Sequence, residues 1–216
     1  MCSIELIHQG MNNGRLSYFL SGILTEMPKI PPPRFPDRLW QSFLIADAPQ
    51  LLGKLTAEIH QFSTSYFDML KSGRLALNIA MTAWHMVDWV FADMDSDQRV
   101  RAGQILGGTI DKKSDLAALA TKACDALRIC QVIATASKHV EVANRPDPSL
   151  ATRCELVNLS ADDTNLQLSA VWVIEREGKE YPADQIFKDV HRFWENLLSD
   201  LGMIEDPIMG RSHRGW

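Results

Sequence analysis

The sequence predicts a mainly α-helical fold: a helical bundle with a small β-hairpin and a C-terminal packing helix. Three observations predict it. The stretch from Leu75 to Phe91 is apolar nearly all round, as in a helix buried on most sides. Near the C-terminus, Phe187, Val190, Trp194, Leu197 and Leu198 recur at helical spacings of three and four. Between them the character changes. CELVNLS and LQLSAVWVIE alternate or carry β-branched residues, with Ala161-Asp-Asp-Thr164 between, which reads as a hairpin over about 152–176.

The chain has 216 residues, 46% hydrophobic and 23% charged. One domain with a substantial core fits these values, and six Trp and eight Phe supply bulky anchors. The expected division is a Pro-rich arm over 1–36, a bundle domain over 37–203 and a tail over 204–216. Within the arm, Met27 to Pro36 holds five prolines in ten residues, so it is extended or polyproline II rather than helix. It is a linker or a docking segment for a protein partner.

The formal net charge of −5 argues against a general nucleic-acid-coating surface and leaves room only for a local RNA site. Cys2, Cys124, Cys130 and Cys154 form no C-x-x-C pair, so they read as reduced thiols of a cytoplasmic protein. Cys124 and Cys130, six apart, point in different directions on a helix. No run reaches 18 apolar residues, so no membrane span is expected, and Met1 to Gly10 lacks the pattern of a signal peptide.

The elements follow in order. Asp37 caps a short helix to Ile45. Asp47-Ala-Pro49 starts another, to about Gln61, by an Asp cap and a first-turn Pro. Ser63-Thr-Ser65 offers caps for the central helix, residues 66–93, in which Gly73 marks a kink or a close helix contact. Ser96 to Leu106 forms a short helix ended by Gly107-Gly108. Ser114 then caps a second long helix through about Val140, which Asn144-Arg-Pro-Asp-Pro148 ends. Arg176-Glu-Gly-Lys179 is a turn, and Ala183 to Leu201 is the last helix.

Polar residues within the apolar helices are the functional candidates. Asn78, Thr82, His85 and Asp88 step by four, three and three along one helix face, flanked by Trp84 and Trp89. Thr135, Lys138 and His139 end the later helix. One reading is a hydrogen-bonded core network, with Lys138 and His139 favoured by the helix dipole. Another is catalysis by His85, Asp88, Lys138 and His139. There His139 is the acid–base group on a phosphodiester, Lys138 holds phosphate and Asp88 orients His85. A third is a metal site of His85, Asp88 and His139, and a fourth a ligand pocket between Trp84 and Trp89. Antiparallel packing of the two long helices would set His85 and His139 about 27 Å apart along the axis, parallel packing about 9 Å.

At AWHMVDW (Ala83 to Trp89) and ATASKH (Ala134 to His139) the chain resembles a group of uncharacterised bacterial helical proteins. These pair an A-W-H-x-x-D-W helix with an A-S-K-H helix end. WVIEREGKEYPADQIFKDVHRFWENLL resembles their C-terminal strand–turn–helix. The chain also resembles, more distantly, the HEPN helical bundles, several of which are RNases or partners in toxin–antitoxin and phage-defence systems. Their catalytic pattern is Arg, four to six residues, His. Here ten residues separate Arg128 from His139. That departure fits a non-catalytic member better. The polar stripe without a catalytic motif, together with the Pro-rich arm, leads to the expectation of a non-catalytic interaction or regulatory protein that forms a homo-oligomer without membrane contact. The alternative is a nuclease or other hydrolase that uses the His/Asp/Lys cluster. No cofactor is implied.

Overall fold

The computed structural model describes residues 45–65, 67–137, 149–158 and 168–204. Several expected features lie outside these residues. They are the arm, the helix start at Asp37, Lys138 and His139, the Asn144–Pro148 stop, the hairpin turn at Ala161–Thr164 and the tail beyond 204. The described residues belong to one compact unit, 42–216. They form a mainly α-helical fold of six helices with a three-stranded antiparallel sheet.

Helix α1 (Ala48–Ser63) begins as its sequence demands. Asp47 accepts a hydrogen bond from the Gln50 N–H at 2.8 Å, and Pro49 lies in the first turn. Helix α2 (Met69–Asp93) starts three residues later than expected. Its cap is not in the Ser63–Ser65 run, whose hydroxyls bond back to α1 carbonyls. Asp68 serves instead, accepting from the Lys71 N–H. Helix α3 (Ser96–Leu106) closes as read, with Gly107 left-handed, and opens on a reciprocal Asp95–Gln98 capping box.

The second long helix is two helices. α4 (Lys113–Ala123) and α5 (Asp125–Ala136) meet at Cys124, which is extended at φ −131°. Ser114 is not the cap. The Asp115 carboxylate reaches back to the N–H groups of Asp111 and Lys112. No Gly or Pro signals the break. It sets Asp125 in a first turn, where its carboxylate meets the buried Arg176 at 2.7 Å. A buried guanidinium stripped of such a partner costs several kcal/mol.

Strands β1 (Leu150–Asn158) and β2 (Leu168–Arg176) form the expected hairpin pairing, Leu150 opposite Arg176 through Asn158 opposite Leu168. A third strand, β3 (Lys179–Pro182), extends it to a meander in the order β1-β2-β3. Its charged, proline-ended tetrapeptide carries no strand signal. The connecting turn has Glu177 at φ 54° and Gly178 at φ 74°, the two positive values a tight type I′ hairpin needs. Helix α6 (Ala183–Asp200) follows directly.

The helices pack around α2. The Ala48 N–H donates to Asp93 at the far end of α2, and Lys54 and Glu58 meet Thr82. α1 and α2 are therefore antiparallel. α1 is also antiparallel to α6, through Thr56 with His191 and Phe62 edge-on to Phe187 at 5.2 Å. Every expected stripe residue of α6 is buried. By length and hydropathy alone α2 could cross a bilayer; 44% of its apolar window is buried in the fold, where α2 packs against α1, α5 and α6.

Gly73 shows why the central helix tolerates a glycine. A Cβ there would lie 2.8 Å from the Trp172 ring of β2, whose indole N–H donates to the Ser72 hydroxyl at 2.9 Å. The close approach is to a strand, and the helix runs on through it. Gly73→Ala would gain about 1 kcal/mol of helix propensity but overpack a rigid ring, at about 1–3 kcal/mol. A net loss in urea denaturation, with altered tryptophan fluorescence, is the expected result. A stabilised variant would contradict this packing.

Candidate functional site

The expected polar stripe of α2 divides into residues with different fates. Asn78 is exposed, and His85 and Asp88 are half-buried. Thr82 alone is buried. Its hydroxyl donates to the Glu58 carboxylate at 2.8 Å and accepts from the Lys54 ammonium at 2.6 Å, while Lys54 and Glu58 pair with each other at 2.6 Å. This triangle is closed: each partner satisfies the other two, and α1 is tied to α2 by the shared hydroxyl.

Asp88 is bound by a different helix. Its carboxylate forms an ion pair with Lys113 at the start of α4, at 2.5 Å. Asp88 thus anchors α4 to α2. Trp84 and Trp89 are half-buried against the core, and neither lines the cavities described below. Among the described residues, no three His, Cys, Asp or Glu side chains gather as a metal would require. Lys138 and His139 lie outside these residues, so the proposed four-residue catalytic set and the His85–Asp88–His139 metal set are placed only in part.

The direction of the later helices relative to α2 follows from two contacts. Lys113 reaches the end of α2, whereas Ile133 shares a cavity with Gly73 and Leu77 near its beginning. α4 and α5 therefore run antiparallel to α2.

Two cavities lie where the sheet meets the helices. One of about 390 Å³ lies among Phe62, Ser72, Ser169, Trp172, Asp184 and Lys188. The Asp184–Lys188 ion pair, 2.9 Å long, flanks it. A smaller one of about 110 Å³ lies beyond Trp172, against Gly73, Leu77, Ile133 and Thr152. The larger has the size and the mix of aromatic wall and hydroxyl groups that suit a small amphipathic molecule. Four separate elements supply its wall, so no local spacing in the sequence announces it. Lys54, Glu58 and Lys113 also escaped sequence reasoning. Lys54 and Glu58 read as an ordinary i,i+4 surface pair, and only the fold adds Thr82.

The thiols of Cys124, Cys130 and Cys154 are free. Burial raises the pKa of all three, most at the fully enclosed Cys130, and the nearby Glu155 carboxylate adds to the rise at Cys154. A raised pKa leaves less thiolate at neutral pH, so none is built as a nucleophile. No family model matches the chain, and no curated protein or solved structure matches it either.

The two carboxylate contacts of α2 differ in exposure, and so should their substitutions. Thr82→Val, which removes the hydroxyl shared by Glu58 and Lys54, is expected to cost about 1–2 kcal/mol in urea denaturation. Asp88→Asn breaks a half-exposed pair and should stay within about 1 kcal/mol. Equal costs would mean that Thr82 is not the tie between α1 and α2.

Proposed function

We propose that this protein is a non-catalytic, HEPN-like interaction or regulatory protein that self-associates. Phage defence or a toxin–antitoxin system is the setting that the resemblance implies. One observation carries the reading: apolar surface is left open beside a sheet edge. Leu70 and Leu77, seven apart on one face of α2, are exposed, and Met69 at its start is exposed as well. Leu156, on the edge strand β1, is 62% exposed. Groups of exposed apolar side chains mark interaction surfaces. The polar residues of α2, by contrast, hold helices together: Thr82 binds α1, and Asp88 binds α4.

Light scattering on size-fractionated protein over a concentration series tests the association. A dimer is the expected species, and a strict monomer at the highest concentration would reject self-association. The non-catalytic half has its own assay: labelled single-stranded RNA, with and without EDTA, incubated with wild type and His139→Ala. No cleavage is expected in any lane. Cleavage by wild type that His139→Ala abolishes would replace this reading with a nuclease.

A further inference from the structure

We infer that two copies of the chain join edge to edge through β1, in an antiparallel register centred on Cys154, to make one continuous six-stranded sheet. The inference rests on the self-association proposed above and specifies its surface.

The two edges of the sheet are unlike. β3 has four residues, with Lys179 at one end and Pro182 at the other. Shortness, charge and proline all discourage further pairing. β1 has nine residues and no proline. It lies at the opposite edge, and among the described residues only β2 pairs with it.

Backbone direction follows from one bond. The Glu177 N–H donates to the Ser149 carbonyl at 3.1 Å, which marks residues 149 and 177 as a hydrogen-bonded pair in the β1–β2 register. Such pairs alternate in antiparallel ladders. Ala151, Arg153, Glu155 and Val157 therefore bond to β2. Leu150, Thr152, Cys154, Leu156 and Asn158 turn their N–H and C=O groups to the open edge. These five residues can form about ten backbone hydrogen bonds with a second strand of the same kind.

Charge selects the register. An antiparallel pairing about Cys154 sets Arg153 opposite the second copy's Glu155, and Glu155 opposite its Arg153. It also overlaps all nine residues. Moving the centre to Arg153 sets Arg against Arg, and moving it to Glu155 sets Glu against Glu. Opposite charges directly across a strand pair stabilise it, and like charges destabilise it. Within one chain, Arg153 already has three carboxylates around it, those of Glu155, Glu175 and Glu180. Glu155 can thus accept a second guanidinium. On the helix-facing side, exposed Leu156 would lie across from Thr152. The two Cys154 residues would be directly opposed, with Cα atoms about 5.5 Å apart, within the range a disulfide spans.

The test uses the full chain carrying Cys2→Ser, oxidised with copper phenanthroline and read by peptide mass spectrometry alongside light scattering. A dimer that yields the Cys154–Cys154 linkage is expected. Thr152→Pro removes an N–H that faces the open edge and none that bonds β2, so it should weaken the dimer about tenfold or more and lower the linkage yield. As a second variant, Glu155→Arg should weaken the dimer, and Arg153→Glu added to it should restore association by restoring opposed charges. A dimer without the linkage would overturn the β1 register and leave self-association standing. A strict monomer would overturn both. Linkage at undiminished yield in Thr152→Pro would mark a chance collision and also overturn the register.

Discussion

The fold depends on how α2 is enclosed. Ile79, Ala80, Ala83, Met86 and Val90 along it have no exposed surface or almost none, and α1, α5 and α6 supply the atoms that exclude water. Trp194 locks this arrangement. Its indole is wholly buried, and its N–H donates to the Ala83 carbonyl at 3.0 Å. A buried tryptophan contributes a large apolar area but must also satisfy its one donor. A helix carbonyl keeps a second lone pair after its own helical bond, so α2 provides a partner without giving one up. Alanine at position 83 keeps the side chain short enough for the ring to approach. The last helix of the described chain is thereby fixed at the middle of the central one, and the sheet that precedes it is drawn against the bundle.

Polar groups near the core serve the same end. Thr82 joins α1 to α2, Asp88 joins α4 to α2, and Asp125 joins α5 to Arg176 of the sheet. Each bond crosses from one element to another. Apolar contacts hold the helices together but leave them free to slide. A buried hydroxyl or guanidinium is satisfied in only one alignment. Spacing of polar residues along a helix face is thus a signal of two things, a reactive cluster or a set of ties between elements. On α2 two of the stripe's four members, Thr82 and Asp88, are ties to two different neighbours.

Much of the fold was legible because local rules decide it. The Asp47 cap, the Ser96–Leu106 bounds of α3 with its glycine stop, the β1–β2 pairing and the stripe of α6 each follow from a few neighbouring residues. What escaped was set by distant partners. The helix break at Cys124 has no glycine or proline, and its role emerges only with Arg176, fifty-one residues on. β3 is too short and too charged to read as a strand until β2 lies beside it. The candidate site was less legible for the same reason. The Lys113 that pairs with the Asp88 carboxylate arrives from another helix and no spacing along α2 announces it, and Lys138 and His139 lie outside the described residues.

The sheet's attachment explains why one of its edges stays open. β2 is the strand that meets the bundle, through Trp172 on Gly73, Ile174 in the core and Arg176 on Asp125. These residues alternate on one face, as strand geometry requires. β1 lies farther out, and its main neighbour is β2. Thr152, Cys154 and Leu156 share the helix-facing side of β1 by register, but Thr152 and Leu156 remain exposed. Leaving a leucine 62% exposed forgoes about 1 kcal/mol or more of the burial its side chain offers. Among the described residues β1 is bonded on one side only, and such a strand is the weakest place in a small sheet. Both costs fall if a second strand covers the edge. Arg153 and Glu155, one residue to either side of the strand's midpoint, are placed so that a strand of identical sequence meets the charge requirement without any further change.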